Sequence, residues 1–455
     1  MEKLSFYFAL WSAKAAQLAL RIIRKGGTTA PGKVALAICP DFLTRIGRPE
    51  TLIGVTGTNG KTTVSNMLCD IFEAMGMDLV SNREGANIDA GAATSLIAAA
   101  SLGGKCRKKL GVLEMDERSA ARLFPVLKPD SLIVTNLFRD SMRRNAHPEY
   151  IAALMDAAID RGTHLILNAD DPISSSLAPL NSRTLFSVDK LAQEPPAREN
   201  LVQDVRICPV CGERIVYDFR RYHHIGRAHC DSCGWHSPDP DYLLVAADEE
   251  AGKITVMESR IWQEYPMPSG EVYNLYNTLA AVTLLRSMGY APEAIAAAME
   301  RLKVVQSRLR SEEIGRWQLT ESMAKGLNAV ACSRNFDMVS QTPGKKAVVL
   351  MLDDVFDEKS SSENIAWLYD ADFEFLCDDS IVQILAFGKR CLDTRLRLLL
   401  AGAEAERVIA VPKAADAAGQ VKLEACEKVF VLFEVYRHGQ AMEVRDAIAE
   451  RMRSA

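Results

Sequence analysis

The sequence lacks the features that define several protein classes. Among its 455 residues there is no uninterrupted run of about 18 apolar residues, so we expect no membrane-spanning helix. No small-residue cleavage site follows the apolar stretch near the N-terminus, which argues against a secretory signal peptide. Basic residues are not in excess, because the net charge is −5. This charge balance disfavours a protein that binds nucleic acid.

Cysteine occurs without the pattern of a disulfide framework. Of the 11 cysteines, four form two CxxC pairs and the others stand singly. Scattered single cysteines indicate a reducing compartment, so we expect a cytoplasmic protein.

The N-terminal segment combines apolar and basic side chains. An apolar stretch runs to Trp11, and basic residues follow at Lys14, Arg21, Arg24 and Lys25. This pattern predicts an amphipathic helix that packs on the first domain. A helix that contacts the membrane surface is the alternative, and it would place the protein peripherally at the inner membrane face.

Strand and helix signals alternate along residues 51–150. The first strand is expected at Leu52–Val55, and a helix is expected from Val64 to Met75. Strands separated by helices predict an α/β fold with a parallel sheet. A segment rich in cysteine, histidine and arginine interrupts the alternation at 204–242 and has the character of an insert.

The chain length predicts two or three domains, because 455 residues exceed one ordinary core. We predict an N-terminal domain over residues 1–310 with the insert at 204–242 inside it. The sequence pattern changes near residue 310, and predicted strands and helices alternate again from Ala347. Residues 311–455 are therefore predicted to form a separate C-terminal α/β domain.

A loop between the first strand and its helix has the composition of a phosphate-binding loop. Its residues are Gly57, Thr58, Asn59, Gly60, Lys61, Thr62 and Thr63. Glycines let the backbone approach phosphates, and the N–H groups of the loop and helix N-terminus point at them. In this arrangement Lys61 reaches the β- and γ-phosphates of ATP, and the Thr62 hydroxyl binds Mg²⁺. The spacing departs from the general loop, because Val55 stands where the first glycine would be.

The insert contains two CxxC pairs. Cys208 and Cys211 are separated from Cys230 and Cys233 by eighteen residues, and a glycine follows each pair. This spacing is typical of a Cys₄ zinc ribbon, a closed structural site without an open position for catalysis. Nearby histidines are alternative ligands, and the arginines of the insert leave contact with nucleic acid as a further alternative.

The loop sequence T-G-T-N-G-K-T-T resembles that of the Mur ligase superfamily, whose members join carboxylates to amines through acyl phosphates. Leu113–Glu117 is similar to the family's acidic strand end, which implies that Glu114 is a Mg²⁺ ligand. Tyr273–Asn277 is similar to its asparagine motif, which implies that Asn277 lies at the nucleotide. The resemblance implies an ATP-dependent carbon–nitrogen ligase in which Lys61 and Glu114 are catalytic.

Within that superfamily the sequence resembles the MurT family, the synthetase subunits that amidate the D-glutamate of the peptidoglycan precursor lipid II. The resemblance covers nearly the whole chain, including Asn82–Asn87, Thr135–Asp140, the two CxxC pairs and Trp367–Glu374. It implies a heterodimer with a GatD-type glutaminase that supplies ammonia. It also implies an aspartate that completes the glutaminase site, for which Asp370 matches best and Asp372 is the rival.

Four further residues are expected to contact the substrates. The resemblance implies that Arg83 and Asn87 face the phosphates or the acceptor carboxylate and that Asp140 orients substrate or metal. Arg308, in the linker before the C-terminal domain, is expected at the nucleotide. The sequence departs from the family's usual pattern directly after Asp140 and around Arg308.

The leading prediction is therefore amidation of the α-carboxylate of D-glutamate in lipid II, with ATP, Mg²⁺ and a structural zinc. One alternative keeps the enzyme class but adds an amino acid, as Mur or folylpolyglutamate ligases do. The zinc insert and Trp367–Glu374 argue against it. The other alternative is a non-catalytic nucleotide-binding scaffold, and Lys61, Thr62 and Glu114 argue against that one.

Overall fold

The computed structural model describes residues 2–22, 29–83, 86–139, 147–192, 194, 198–302, 309–324, 328–353, 365–434 and 437–455. The chain forms two compact units. Unit 1 comprises Met1–Phe138, His147–Ala197 and Val205–Val305, and unit 2 comprises Arg139–Ala146, Arg198–Asp204 and Gln306–Ala455. The chain thus enters unit 2 at two short segments before its C-terminal part.

Unit 1 alternates strands and helices. Its helices are α1 (Glu2–Ile22), α2 (Ala30–Ile38), α3 (Phe42–Arg45), α4 (Lys61–Ala74), α5 (Asp89–Ala99), α6 (Ala120–Leu127), α7 (Pro148–Ala158), α8 (Val272–Ser287) and α9 (Pro292–Met299). Its strands are β1 (Thr51–Thr56), β2 (Leu79–Ser81), β3 (Leu110–Glu114), β4 (Ser131–Val134), β5 (His164–Asn168), β6 (Arg183–Val188), β7 (Val216–Tyr222), β8 (Ile225–His229), β9 (Tyr242–Asp248), β10 (Lys253–Glu258) and β11 (Ile261–Pro266).

The central sheet of unit 1 has the order β11-β10-β9-β6-β5-β4-β1-β3-β2. The neighbouring strands of this sheet from β9 through β6, β5, β4, β1 and β3 to β2 pair in parallel, whereas β10 and β11 continue the sheet antiparallel. The middle strands are almost entirely buried, as expected for a parallel sheet with both faces covered. The predicted α/β fold with a parallel sheet is confirmed.

Helix α4 begins three residues earlier than predicted. The sequence pattern placed its start at Val64, but the helix begins at Lys61, directly after the left-handed Gly60. It ends at Ala74, and Gly76 follows with a φ of 78°. The early start aims the free N–H groups of the first helical turn at the loop that precedes it.

The cysteine-rich insert is a separate small element between β6 and β9. Strands β7 and β8 form a two-stranded antiparallel sheet of their own. Its hydrophobic cluster has only four buried members, Cys208, Ile215, Ala228 and Cys230. Such a core is too small to hold the insert together by apolar burial alone.

Unit 2 contains a second, smaller α/β sheet. Its elements are β12 (Leu309–Ile314), β13 (Trp317–Met323), α10 (Ala329–Gln341), β14 (Lys346–Met351), α11 (Trp367–Asp370), β15 (Ile381–Phe387), α12 (Cys391–Leu400), β16 (Val408–Val411), α13 (Ala414–Ala417), β17 (Lys428–Phe433) and α14 (His438–Ser454). The sheet order is β12-β13-β17-β14-β15-β16. All pairs are parallel except β12 with β13.

Alternate residues of β14 enter different cores of unit 2. Val349 and Met351 belong to the cluster beneath α14, whereas Val348 and Leu350 belong to the cluster beneath α10 and α11. The period of two along a strand produces this division. Among the described residues, no helix combines the length and apolarity needed to cross a bilayer.

Candidate active site

The loop between β1 and α4 depends on two glycines. Gly57 has a φ of 125° and Gly60 a φ of 89°, conformations that L side chains rarely adopt. A Cβ atom at Gly57 would collide with the Thr135 hydroxyl, and one at Gly60 would collide with the Asn277 side-chain oxygen. The loop backbone therefore lies tightly between the segment after β4 and helix α8.

The segment after β4 holds the loop by hydrogen bonds. The backbone N–H of Thr58 donates to the Asn136 carbonyl at 2.8 Å, and the N–H of Asn59 donates to Asn136 Oδ1 at 3.0 Å. Phe138 N–H donates to the Thr58 hydroxyl at 2.9 Å, and Thr135 Oγ1 donates to the Asn59 carbonyl at 2.6 Å. Thr135 and Asn136 lay within a family motif, but the sequence indicated no task for them. Their position follows from the parallel pairing of β1 with β4.

The ammonium group of Lys61 lies inside the loop. Lys61 Nζ donates to the carbonyl of Gly57, to the carbonyl of Thr58 at 3.2 Å and to Glu117 Oε2 at 3.0 Å. The side chain of Lys61 is 12% exposed and that of Glu117 only 4%. A charge that is so deeply buried requires a partner. Glu117 is that partner, and the sequence had given it no role.

Glu114 ends β3 beside the start of the loop, because the sheet register pairs it with Val55. Its Oε1 accepts a hydrogen bond from Asn87 Nδ2 at 2.9 Å. Asn82 holds the backbone of Glu114 by two hydrogen bonds of 2.8 Å each. Its Nδ2 donates to the Glu114 carbonyl, and its Oδ1 accepts from the Glu114 N–H. The structure thus brings together two predicted site residues, Glu114 and Asn87.

Three other predicted residues lie at the same end of the sheet. Thr62 and Thr63 are in the first turn of α4, and the Thr62 side chain is exposed. Asn277 is buried on α8 with its side-chain oxygen against Gly60. The end of the sheet therefore combines a helix N-terminus, a lysine, a hydroxyl and a carboxylate, which together suit a triphosphate with Mg²⁺.

Arg83 is not directed at this group. Its guanidinium pairs with Asp70 at 3.0 Å and with Glu73 at 3.6 Å, both on α4. Its contact with a substrate stays a prediction. The predicted residues Asp140 and Arg308 lie outside the described residues.

Unit 2 presents Asp370 at the end of α11. Its carboxylate is 19% exposed and lies 3.6 Å from a guanidinium nitrogen of Arg139, which also binds Asp204 at 2.6 Å. Burial raises the pKa of the Asp370 carboxyl above its ordinary value, and Arg139 opposes this shift. Arg139 lies within the family-like segment Thr135–Asp140, and the sequence indicated no individual role for it.

The rival Asp372 has a different environment. It is 1% exposed, and its two oxygens accept hydrogen bonds from Asn200 Nδ2 at 2.8 Å and from the Leu201 N–H at 2.5 Å. Its own N–H donates to the Ser333 hydroxyl at 2.9 Å. These bonds give Asp372 a structural task, and they favour Asp370 as the aspartate available to a partner.

The four cysteines of the insert converge. The sulfur atoms of Cys208, Cys211, Cys230 and Cys233 all lie within 4.8 Å of one another. Sulfurs bound at 2.3 Å to one tetrahedral zinc lie about 3.8 Å apart. Gly212 and Gly234, with φ values of 78° and 76°, close the two turns. The donor set therefore fits zinc.

Two histidines proposed as alternative ligands have other partners. His229 Nδ1 lies 2.9 Å from Asp218 and its Nε2 lies 3.2 Å from Asp231. His236 Nδ1 lies 2.9 Å from the Ser237 carbonyl. The group of four cysteines contains no histidine.

The hairpin of the insert is attached to the loop after β5. An Asx turn is present there, since Asp170 N–H donates to Asn168 Oδ1 at 3.0 Å. Asp170 is fully buried and accepts hydrogen bonds from Ser187 Oγ and Tyr276 OH, each at 2.6 Å. Gly226 N–H donates to the Asp170 carbonyl at 2.9 Å. Burial nevertheless raises the pKa of the Asp170 carboxyl.

Comparison with protein families matches both parts of the chain. The Mur ligase middle domain matches residues 55–204, and the MurT ligase C-terminal domain matches residues 326–436. The fold is similar to a pseudomurein peptide ligase type C from Methanothermus fervidus, with a TM-score of 0.65 at 18% identity over 91% of this chain and 81% of that one. It is also similar to MurF from Thermotoga maritima in complex with ADP, with a TM-score of 0.56 at 14% identity over 93% and 85%.

Two curated relatives match along most of their length. The MurT subunit of lipid II isoglutaminyl synthase (glutamine-hydrolyzing) from Staphylococcus aureus strain COL is 30% identical over 403 residues, which cover 88% of this chain and 89% of the relative. The corresponding subunit from Streptococcus pneumoniae is 29% identical over 431 residues, which cover 93% of each. The chain belongs to the MurT family of Mur-ligase-type, ATP-dependent ligases.

Proposed function

We propose that this protein is the synthetase subunit that amidates the D-glutamate α-carboxylate of lipid II. The observation that carries the proposal is the loop with its buried Lys61–Glu117 pair beside the Glu114–Asn87 pair, in a chain of the MurT family. This set of groups suits ATP-dependent activation of a carboxylate. The four-cysteine ribbon and the C-terminal match favour amidation over the addition of an amino acid.

The proposed reaction proceeds in two balanced steps. A carboxylate oxygen attacks the γ-phosphorus of ATP, so that an acyl phosphate forms and ADP leaves. Ammonia then attacks the acyl carbon, loses a proton and expels inorganic phosphate. The phosphate carries away the oxygen that came from the carboxylate. The protein contributes mainly positioning and neutralisation of charge.

Two loop residues and three residues around the loop have a role in the first step. Lys61 neutralises charge that develops on the transferred phosphoryl group, and the N-terminus of α4 binds the phosphates. Thr62 and Glu114 would hold Mg²⁺, which supplies further charge neutralisation when bound. Asn87 orients the Glu114 carboxylate through its 2.9 Å hydrogen bond. Asn277 fixes the position of the loop beside the nucleotide.

The ammonia is proposed to come from a glutaminase subunit of the GatD type. Asp370 would complete the glutaminase site by orienting a histidine of that subunit and stabilising its charged form. Its carboxylate is partly exposed and lies 3.6 Å from Arg139, which leaves it available to a partner. Because lipid II is anchored in a bilayer, we place the reaction at the inner membrane face. The Cys₄ site is proposed to bind a structural zinc.

The reaction is tested by product mass. The chain is incubated with a GatD-type subunit, ATP, Mg²⁺, glutamine and lipid II. We expect replacement of one carboxyl OH by NH₂ and equal formation of ADP. Addition of a whole amino-acid residue would instead identify a ligase of the Mur or folylpolyglutamate type. Absence of ATP consumption with every acceptor would identify a scaffold.

Asp370→Asn separates the ammonia supply from the synthetase step. With glutamine as nitrogen source, amidation should fall by roughly 100-fold or more, because an amide orients the histidine poorly. With ammonium chloride the rate should equal that of the unaltered protein. Asp379→Asn, at an exposed aspartate of unit 2, is the matched control and should retain both activities. Equal rates with both nitrogen sources in Asp370→Asn would exclude the role of Asp370.

A further inference from the structure

Helix α1 is apolar on two faces. One face enters the core of unit 1 through Phe6, Ala9, Leu10 and Ala13, which are at most 7% exposed. The expected packing on the first domain is therefore present. The opposite side, however, is not the polar surface that an ordinary amphipathic helix presents to water.

The outer side of α1 carries a continuous stripe of large apolar side chains. Leu4 is 75% exposed, Phe8 64%, Trp11 55%, Leu18 60% and Ile22 73%. Their spacings of four, three, seven and four residues place them on one helical face. We refer to these five residues as the outer stripe. Single exposed apolar residues are common, but a contiguous set of this kind marks an interaction surface.

The loop after α5 extends the outer stripe. Trp11 Nε1 donates to the Leu102 carbonyl at 3.0 Å, and the Leu102 side chain is 66% exposed. The same loop continues with Lys105, Arg107 and Lys109, whose side chains are exposed. Apolar and basic groups are thus neighbours on this surface of unit 1.

Positive charge gathers around α1. Lys14 Nζ donates to the carbonyls of Ile97 and Ala100, each at 2.7 Å, and so lies against the C-terminal end of α5. Burial lowers the pKa of Lys14, and the nearby charges of Arg107 and Arg21 lower it further. Lys108 is neutralised by Asp78, but no acidic residue occurs between positions 99 and 109, and Glu2 is the only one in α1.

This local charge is opposite to that of the whole chain, which carries −5. A second copy of the chain is a poor occupant, because a symmetric contact through this surface would oppose like charges. An anionic bilayer suits both components of the surface. Apolar side chains with an aromatic ring enter the headgroup boundary, while lysine and arginine attract acidic lipids.

We propose that the outer stripe and the basic loop bind an anionic bilayer, with α1 lying in the plane of its surface. The inference goes beyond the amidation reaction, because it concerns where the protein binds and not what it catalyses. It would bring the protein to a substrate that is itself anchored in a bilayer.

Flotation with lipid vesicles tests the proposal without any activity assay. The full chain is mixed with vesicles of phosphatidylcholine alone or with phosphatidylglycerol added. We expect binding to the anionic vesicles, weakened by salt, and little binding to the neutral ones. The triple variant L4S/F8S/L18S should lower the bound fraction at least about tenfold. R21E and R107E should each lower it by roughly fivefold or more.

The matched control is L392S/L396S/L400S, which removes three comparably exposed leucines from α12. It should bind vesicles like the unaltered chain, and circular dichroism should show both triple variants folded. Equal loss of binding in the two triple variants would overturn the proposal. So would failure of the unaltered chain to bind anionic vesicles, or a dimer in solution that only L4S/F8S/L18S dissociates.

Discussion

The phosphate loop and the four-cysteine ribbon belong to the same unit but are held in place by different means. The loop extends from β1, a buried interior strand of the nine-stranded sheet, and Asn136 alone makes three hydrogen bonds with it. The ribbon has four buried residues in its own cluster and a two-stranded sheet. Chain packing suffices for the first, whereas the core of the second is so small that the proposed zinc would cross-link it.

The two regions meet at the loop after β5. His224 Nε2 lies 3.3 Å from Asp171 Oδ1, while Asp171 Oδ2 accepts a hydrogen bond from the Leu137 N–H at 2.8 Å. The ring of Phe138 lies 4.6 Å from that of His224, centroid to centroid. Phe138 in turn binds the Thr58 hydroxyl. The end of the hairpin therefore supports the segment that positions the phosphate loop.

The largest effect is expected within the loop. Lys61→Ala should reduce ATP consumption by roughly 100-fold or more, because the positive charge at the transferred phosphoryl group is lost. Lys253→Ala, which removes an exposed lysine from β10, is the control and should leave the rate unchanged. Coupled measurement of ADP release compares the two. Unchanged ATP consumption in Lys61→Ala would exclude a role of Lys61 in phosphoryl transfer and contradict the assignment of the phosphate loop.

A smaller effect is expected from the ribbon. Cys211→Ser removes one ligand at an exposed position and should lower the bound zinc, measured by elemental analysis. Since the hairpin supports the loop only indirectly, ATP consumption should fall about three- to tenfold. Cys106→Ser, outside the cluster, is the control and should change neither quantity. Full loss of zinc with an unchanged rate would show that the two regions are independent.

The smallest effect is expected at Arg83. Its ion pairs with Asp70 and Glu73 are partly exposed, and such pairs contribute about 0–1 kcal/mol to stability. Arg83→Ala should therefore change the rate of amidation less than about threefold and the Michaelis constant for lipid II equally little. A tenfold rise in the Michaelis constant for lipid II would instead support the predicted contact of Arg83 with the substrate.

Local patterns made parts of the site predictable. Phosphate-binding loops have glycines and a lysine at fixed spacing, and zinc ribbons have two CxxC pairs. The left-handed Gly60 before helix α4 and the convergence of the four cysteines could therefore be predicted from the sequence. Partners that approach from another strand have no fixed spacing. The contacts of Glu117 and Asn136 with the loop depend on the parallel register of β1 with β3 and β4, so the sequence alone did not predict them.

Some features of the fold could not be predicted, because the usual local sequence signal was absent or the contact was between distant segments. The hairpin between β10 and β11 turns at Ser259 and Arg260, both with left-handed φ values, where glycine or asparagine is the usual signal. Arg83 was expected to contact the substrate because the segment Asn82–Asn87 resembles the MurT family. Its pairing with α4 depends on where β2 ends beside that helix, which no local pattern encodes.

Activation of the carboxylate is tested most directly by following its oxygen. Lipid II is prepared with a heavy oxygen isotope in the D-glutamate α-carboxylate and amidated by the chain with ATP and ammonium. Formation of an acyl phosphate predicts one heavy oxygen atom in the inorganic phosphate for each amide formed, detected by mass spectrometry. Amide formation with unlabelled phosphate would contradict the proposed reaction.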